Sequence, residues 1–312
     1  MEDYKTFVQK LKNAAFEGDI LLNEKMSKHT TFKIGGEVPV FLAPKDVDAL
    51  ITALSVLKAQ GMPFFVLGGG SNVVFCDSGY RGCVLSLSRL NHISILGQEE
   101  DSVFVTCGSG ATMAQFVNFC LENELSGAEQ FAGLPGSLGG AYYMNARCFD
   151  RSASDLFVDA YYIDLETYTE EYISYKAEDW DYKVSPFQKG KKIILQLNLR
   201  LEKNKKTKEQ LLSDCKHYTE ERVSKGHFKY PSAGSVFKNN HAFGAPSGKL
   251  IDDAGLKGYQ IGQAQIAPFH GNFIINLGGA TQKDVKSLVQ LTVNTVREKT
   301  GFSLEPEIIF VE

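Results

Sequence analysis

The chain has 312 residues, 43% of them hydrophobic and 22% charged, an ordinary globular composition. That length exceeds one compact core and predicts two or three domains. The net charge of −4 excludes a global positive field drawing the chain to nucleic acid or anionic lipid, so an anionic substrate has to be gripped by a local basic cluster.

Residues 1–18 (MEDYKTFVQKLKNAAFEG) carry early acids and interrupt their apolar positions with lysines, which predicts an amphipathic helix and not a signal peptide. No unbroken apolar stretch reaches the roughly 20 residues of a membrane span. Residues 46–60 place Val47, Leu50, Ile51, Leu54 and Leu57 on one helical stripe. PFFVLGGG (63–70) reads as a buried strand ending in a glycine turn, and strand-like runs follow at 82–87, 92–96 and 102–107. A helix over 111–124 turns Met113, Phe116, Val117, Cys120 and Leu121 inward. Segments 156–165 and 191–200 alternate as strands of a second layer. The charged stretch 201–212 changes the texture and is the best candidate for a domain boundary. Beyond it come a helix to about Val223, a small unit containing YPSAGSVFKNN and a strand at 271–277. A helix with Val285, Leu288, Val289, Thr292 and Val296 in register and a final strand at 304–311 complete the chain. This mixture, with antiparallel-looking strands, predicts an α+β fold and not a doubly wound sheet. Cys76, Cys83, Cys107, Cys120, Cys148 and Cys215 form no C-x-x-C pair and no zinc spacing with histidine, so no metal site is expected. Scattered thiols fit a reducing compartment and predict a cytoplasmic protein.

Three glycine-dense stretches stand out: LGGGSNVVF (67–75), CGSGAT (107–112) and GLPGSLGGAYYMN (133–145). Any one of them alone reads as a tight turn. Together they predict a dinucleotide held by several loops whose backbone N–H groups approach a pyrophosphate. GGGSNV is not a P-loop, because no G-K-[ST] follows it, and it is not a Rossmann fingerprint, because Val73 stands at the third glycine position. FAD, with its long pyrophosphate body, is the natural candidate. Ser137, after Pro135 and Gly136, has the look of a helix N-cap whose neighbouring N–H groups could receive phosphate or flavin oxygens; a plain packed helix with small residues explains that stretch equally well.

In this order, KHTTFKIGGEV (28–38), LGGGSNVVF, GLPGSLGGAYYMNA, YPSAGSVFKNN and GLKGYQIGQAQIAPFHGNFIIN resemble the UDP-N-acetylenolpyruvoylglucosamine reductase family, from about Asn23 to the C-terminus. The resemblance implies a two-part FAD-binding region of the vanillyl-alcohol-oxidase (PCMH) type, at 1–82 and 83–201, then a smaller α+β substrate domain at 202–312 that ends in a catalytic strand. It implies FAD contacts from Thr31, Ile34, Gly35, Gly68, Gly69, Gly70, Ser71, Asn72, Gly110, Gly136, Ser137, Gly140 and Asn145. No histidine stands beside GGGSNVVF to tether a flavin, the nearest downstream being His92, so the FAD is expected to be non-covalent. The implied reaction is NADPH-dependent reduction of the enolpyruvyl ether of UDP-N-acetylglucosamine to UDP-N-acetylmuramate. That step belongs to peptidoglycan synthesis, hence to cell-wall biogenesis, cell shape and cell division. The implied enzyme is a monomer or weak oligomer with a small-molecule substrate.

Hydride arriving at the methylene carbon of such a substrate leaves carbanion character beside a carboxylate, so the site needs a proton donor over the α-carbon and groups that stabilise the charged carboxylate. By resemblance the donor is Ser235, in AGSVFKN, and the second acid is Glu307, in LEPEIIFV, with Glu305 nearby. The family's third member is an arginine, and here WDYKVSPFQ places Lys183 there, which keeps the charge but not the planar fork. A second departure is Ala146-Arg147-Cys148-Phe149-Asp150, where the family is glycine-rich. For the substrate, Lys225, Lys229 and Lys238, with Arg222 and His227, form a basic run suited to a diphosphate or to a solvated face. Tyr182 and Asn239 are contacts by resemblance, and His270 stands near the sugar or nicotinamide or else serves as a structural histidine. Two other readings remain open, an FAD-dependent alcohol or sugar oxidase of the same superfamily and a non-catalytic flavin-binding paralogue.

Overall fold

The computed structural model describes residues 2–312, with side chains from Tyr4 onward; Met1, the first residue of the expected amphipathic helix, lies outside the described residues. The chain divides into two units, neither continuous in sequence: the residues up to Leu21, Val40–Gly69 and Gly82–Glu220 form one, and Leu22–Pro39, Gly70–Arg81 and Glu221–Glu312 the other.

In the first unit, α1 (Glu2–Asn13) follows from its apolar spacing, with Phe7 and Leu11 fully buried. Helix α2 (Val47–Gln60) starts where Asp46 accepts the Ala49 N–H at 2.9 Å and stops at Gly61, left-handed at φ 57°. These helices share a core with Val40, Leu42, Cys83 and Leu85. The sheet beneath runs in the order Gly18–Lys25, Glu37–Pro44, Cys83–Ser86, Phe64–Leu67, with residues 22–25 and 37–39 of the first two strands counted with the other unit. Cys83–Ser86 pairs in parallel with both its neighbours. That departs from the expected antiparallel look; α2 supplies the crossover that a parallel arrangement requires.

A second, five-stranded sheet is antiparallel throughout, in the order Thr169–Ser174, Phe157–Asp164, Lys192–Glu202, Ser102–Gly108, Ile93–Gln98. Helix α3 (Met113–Glu122), closed by a Thr112–Gln115 capping box, buries Phe116, Val117 and Cys120 in one core with Val105, Leu197 and Leu199. The short α4 (Leu138–Tyr143) adds Leu138 and Tyr142 to that core. Helix α5 (Lys208–Ser224) follows, and the change of unit between Glu220 and Glu221 falls inside it.

The second unit carries a four-stranded antiparallel sheet, Ser232–Ser235, Phe273–Asn276, Ala264–Ile266, Gln260–Ile261. Helices α6 (Ser247–Asp253) and α7 (Gln282–Thr300) bury Leu250, Ile251, Val285, Leu288 and Val296 in one core with Ile266, Ile274 and Phe237. The expected final strand over 304–311 is shorter, Ile309–Val311, and pairs in parallel with Val73–Phe75. Pro306 has no N–H to give a ladder, and the stretch before Ile309 makes one isolated bridge, Phe237 with Pro306.

Candidate active site

In the first unit the three glycine loops meet. Leu138 donates its N–H to Ala111 O (2.8 Å), Gly139 to Ser109 O (2.8 Å) and Met113 to Gly136 O (3.0 Å). Gly68 and Gly69 close on the same turn: a Cβ on Gly68 would stand 2.6 Å from Ser137 Oγ, and one on Gly69 2.5 Å from Gly136 Cα. Gly110 is bare because Leu87 O occupies the place of a methyl group. Ser137 is the N-cap of α4, its Oγ accepting the Gly140 N–H at 3.3 Å. Among the described residues, the N–H groups of Gly68, Gly69, Gly136 and Ser137 donate to no protein acceptor. Ser109 Oγ, buried against Gly139, is likewise without a partner. A concentration of open backbone donors with no carboxylate among them suits an anionic pyrophosphate.

The Lys183 turn is fastened to the end of α4 within the same unit. Asp181 and Val184 exchange backbone hydrogen bonds (3.3 and 3.0 Å) across Tyr182 and Lys183. Ser185 Oγ donates to Tyr143 O at 2.7 Å. Asn145, 3% exposed, donates from Nδ2 to Asp181 O (2.9 Å) and accepts the Ser154 N–H on Oδ1 (3.1 Å), so its amide already holds two loops together. Lys183 Nζ lies 5.9 Å from the Tyr182 ring centroid. The bulky stretch after Asn145 forms a small hairpin, Arg147–Cys148 against Arg151–Ser152, with Phe149 at φ 55° on its tip and its ring 4.6 Å from that of Tyr218. Glycine would take that backbone without strain.

In the second unit the loop Gly70–Asn72 meets both the 26–36 segment and the catalytic candidates. Thr31 N–H donates to Gly70 O (3.0 Å), and Thr31 Oγ1 donates to Ser232 O (2.7 Å). Gly35, at φ 135°, is closed in by Phe75 Cβ and Met26 Cβ, and Ile34 is buried in the core. Asn72 Nδ2 donates to Glu307 O (3.1 Å), and Ile309 N–H donates to Asn72 O (2.9 Å). Glu307 N–H donates to Val236 O at 2.7 Å, so the backbones carrying Ser235 and Glu307 lie side by side. Both residues are half-buried. Ser71 is half-buried beside them in sequence, and among the described residues the N–H groups of Gly70, Ser71 and Asn72 also donate to no protein acceptor.

Sequence reasoning missed Asn272. Its Oδ1 accepts the Phe237 N–H (2.9 Å), its Nδ2 donates to Phe237 O (2.8 Å) and its carbonyl accepts the Val236 N–H (2.9 Å). One side chain thus fixes the backbone that leaves Ser235, and an asparagine after HG just before a strand was the only signal for it. Of the basic run, Lys225 pairs with Glu221 (2.7 Å), Lys238 with Glu305 (2.5 Å), and Lys229 Nζ sits 5.2 Å from the Phe269 ring centroid. Asn239 Oδ1 accepts the Ser247 N–H at 2.9 Å. His227 is no cation at neutral pH: burial, with Arg222, His270 and Lys225 adding like charge, pushes it down to about 4. Burial lowers His270 too, and its Nδ1 accepts the Asn272 N–H at 3.2 Å.

Among the described residues no group of His, Cys, Asp and Glu could hold a metal ion, and no helix is long and apolar enough to cross a membrane. The family model for the C-terminal domain of UDP-N-acetylenolpyruvoylglucosamine reductase matches residues 226–311, and the model of an FAD binding domain matches residues 38–164. The Treponema denticola UDP-N-acetylenolpyruvoylglucosamine reductase is 46% identical over 305 residues, 94% of each chain, and the Bacillus subtilis one 37% identical over 306 residues, 96% of each chain. The crystal structure of UDP-N-acetylenolpyruvylglucosamine reductase (MurB) from Thermus caldophilus matches with a TM-score of 0.75 at 29% identity, over 95% of this chain and 99% of that one. The open amides of the glycine loops fit the FAD that the matching domain binds. The chain belongs to the UDP-N-acetylenolpyruvoylglucosamine reductase family and is an FAD-dependent oxidoreductase.

Proposed function

We propose that the chain reduces the enolpyruvyl ether of UDP-N-acetylglucosamine to UDP-N-acetylmuramate with NADPH as hydride donor, as a cytoplasmic monomer or weak oligomer in peptidoglycan precursor synthesis. Bound FAD supplies hydride acceptance and donation. Residues 1–82 and 83–201 are the two parts of the cofactor region in this reading, and 202–312 the substrate domain. In the first unit, Gly68, Gly69, Gly110, Gly136, Ser137 and Gly140 serve the cofactor, with Asn145 bracing their loop. In the second, Thr31, Ile34, Gly35, Gly70, Ser71 and Asn72 do so.

Ser235 delivers a proton from its hydroxyl to the substrate's α-carbon. A hydroxyl is a weak acid, but an α-carbanion is a strong base, so the transfer runs downhill. Glu307, as a carboxylic acid, donates its O–H to the substrate carboxylate as charge builds there, and Lys183 stabilises the same charge as a point cation. Lys225, Lys229 and Lys238 take the diphosphate, exchanging the present carboxylate partners of Lys225 and Lys238 for phosphate oxygens. Tyr182, Asn239 and His270 contact the substrate, His270 as a neutral ring.

The observation that carries this reading is the 2.7 Å hydrogen bond from Glu307 N–H to Val236 O, which joins the segments bearing the proton donor and the second acid although 71 positions separate them. The test is NADPH oxidation by the purified, yellow protein, which should depend on the enolpyruvyl substrate. Ser235→Ala should still be reduced by NADPH yet lose about 10²–10⁴-fold in turnover. Turnover at the parent rate would remove Ser235 from the role.

A further inference from the structure

Gln188 stands five residues beyond Lys183, and nothing in the chemistry above uses it. Its Nε2 donates to Tyr143 O at 2.9 Å and to Lys183 O at 3.1 Å, with Met144 Sδ farther off at 3.9 Å. Lys183 occupies the third position of the Asp181–Val184 turn with φ 60°. A turn with positive φ there ordinarily employs glycine or asparagine, because a Cβ crowds the following carbonyl. Lysine in that place needs an outside hold. Gln188 provides it on the carbonyl of the strained residue itself, and Ser185 and Asn145 fasten the flanks of the turn at Tyr143 O and Asp181 O. Fixing the Lys183 carbonyl fixes the peptide plane that follows it, and with it the direction in which the lysine side chain leaves the backbone.

We propose that Gln188 is a positioning residue: its amide clamps the Lys183 turn to the end of α4, so that the ammonium group is presented to a substrate carboxylate in one orientation. Lysine lacks the rigid fork of arginine, and its geometric definition has to come from the backbone beneath it. The clamp rests on the reading of Lys183 as the cation that stabilises the substrate carboxylate. Asn145 and Ser185 hold the turn from its sides, but Gln188 alone of the three grips the residue that bears the charge.

The experiment compares Gln188→Glu, which keeps the shape and removes both donors, with Gln188→Lys, which restores an N–H donor on a long side chain. Both are measured beside Lys183→Met and the double variant Lys183→Met/Gln188→Glu. Gln188→Glu should lower kcat/KM for the enolpyruvyl substrate about tenfold, the size of one well-placed hydrogen bond. Flavin content and the rate of flavin reduction by NADPH alone should stay within about twofold, because neither step involves the substrate carboxylate. Gln188→Lys should recover most of the loss. The double variant should be no slower than Lys183→Met, since a clamp has nothing to position once the ammonium is gone. Additive losses in the double variant, a parallel fall in NADPH-driven flavin reduction, or a parent-like Gln188→Glu beside an impaired Lys183→Met would each overturn the clamp alone. A parent-like Lys183→Met would instead overturn the reading of Lys183 on which the clamp depends.

Discussion

Gly69 has no room for a methyl group. A Cβ there would stand 2.5 Å from Gly136 Cα and 2.6 Å from Ser137 N, and both are backbone atoms that cannot rotate away. Gly97, on an edge strand, has nothing within 4 Å of the same construction. Gly69→Ala should therefore cost about 1–3 kcal/mol of stability by overpacking and reduce flavin retention, whereas Gly97→Ala should do neither. Thermal unfolding and the visible absorption of the purified variants check both, and a yellow, fully stable Gly69→Ala protein would contradict the close approach. The glycines themselves were legible in the sequence, but which glycine faces which was not, because Gly69 and Gly136 are far apart in the chain and neither carries a side chain whose chemistry announces a partner. The left-handed backbone of Lys183 and Phe149 was illegible for a related reason: both residue types ordinarily avoid it, and at Lys183 it is held by hydrogen bonds from elsewhere in the chain.

Among the elements, those with a strong period were legible. Helix α7 shows why: Val285, Leu288, Val289, Thr292 and Val296 are buried on one face, and its two ends are written locally, by Thr281 before it and Gly301 after it. Thr281 Oγ1 accepts the Asp284 N–H at 3.1 Å and Asp284 Oδ2 accepts the Thr281 N–H at 3.0 Å, a reciprocal cap on the longest helix of the second unit. Thr281→Ala should lower stability by about 1 kcal/mol and shift the urea midpoint accordingly, while Thr281→Ser should not. Equal midpoints for the two variants would show that the cap carries no weight. The last strand was less legible. LEPEIIFV alternates well enough to be read as one strand, yet its first half is held by Pro306 and by Lys238 N–H on Glu305 O, contacts made to a segment nearly 70 positions earlier. Periodicity reports which face a residue shows and not where pairing begins.

At the scale of the molecule, composition changes along the chain do not reveal which segments cluster. Residues 22–39 and 70–81 group with the C-terminal part because Phe32, Ile34 and Val74 share a core with Phe237, Ile274 and Val285. Nothing local in those segments sets them apart from their sequence neighbours. The grouping nonetheless distributes spectroscopic reporters unevenly. Trp180 is the only tryptophan and lies in the first unit, its ring 4.9 Å from that of Phe157 and 6.1 Å from that of Phe187. Five of the six free cysteines, Cys83, Cys107, Cys120, Cys148 and Cys215, are buried in the same unit, while Cys76 belongs to the second and is half-buried. Burial pushes the Cys107 thiol up to about 12 and raises those of Cys83 and Cys120 as well, so these thiols lack the thiolate that reacts. A thiol reagent applied to the native protein should therefore modify Cys76 first and leave the others until the first unit opens. In a denaturant titration, the release of Cys107, Cys120, Cys148 and Cys215 should follow the same transition as Trp180 fluorescence, because all five side chains belong to or pack on one core. Far-ultraviolet dichroism averages both units, and its coincidence or separation from those two curves measures whether the second unit unfolds with the first. If any of those four thiols became reactive well before the tryptophan signal moved, the core shared by α3, α4 and the five-stranded sheet could not be the cooperative block its burial describes.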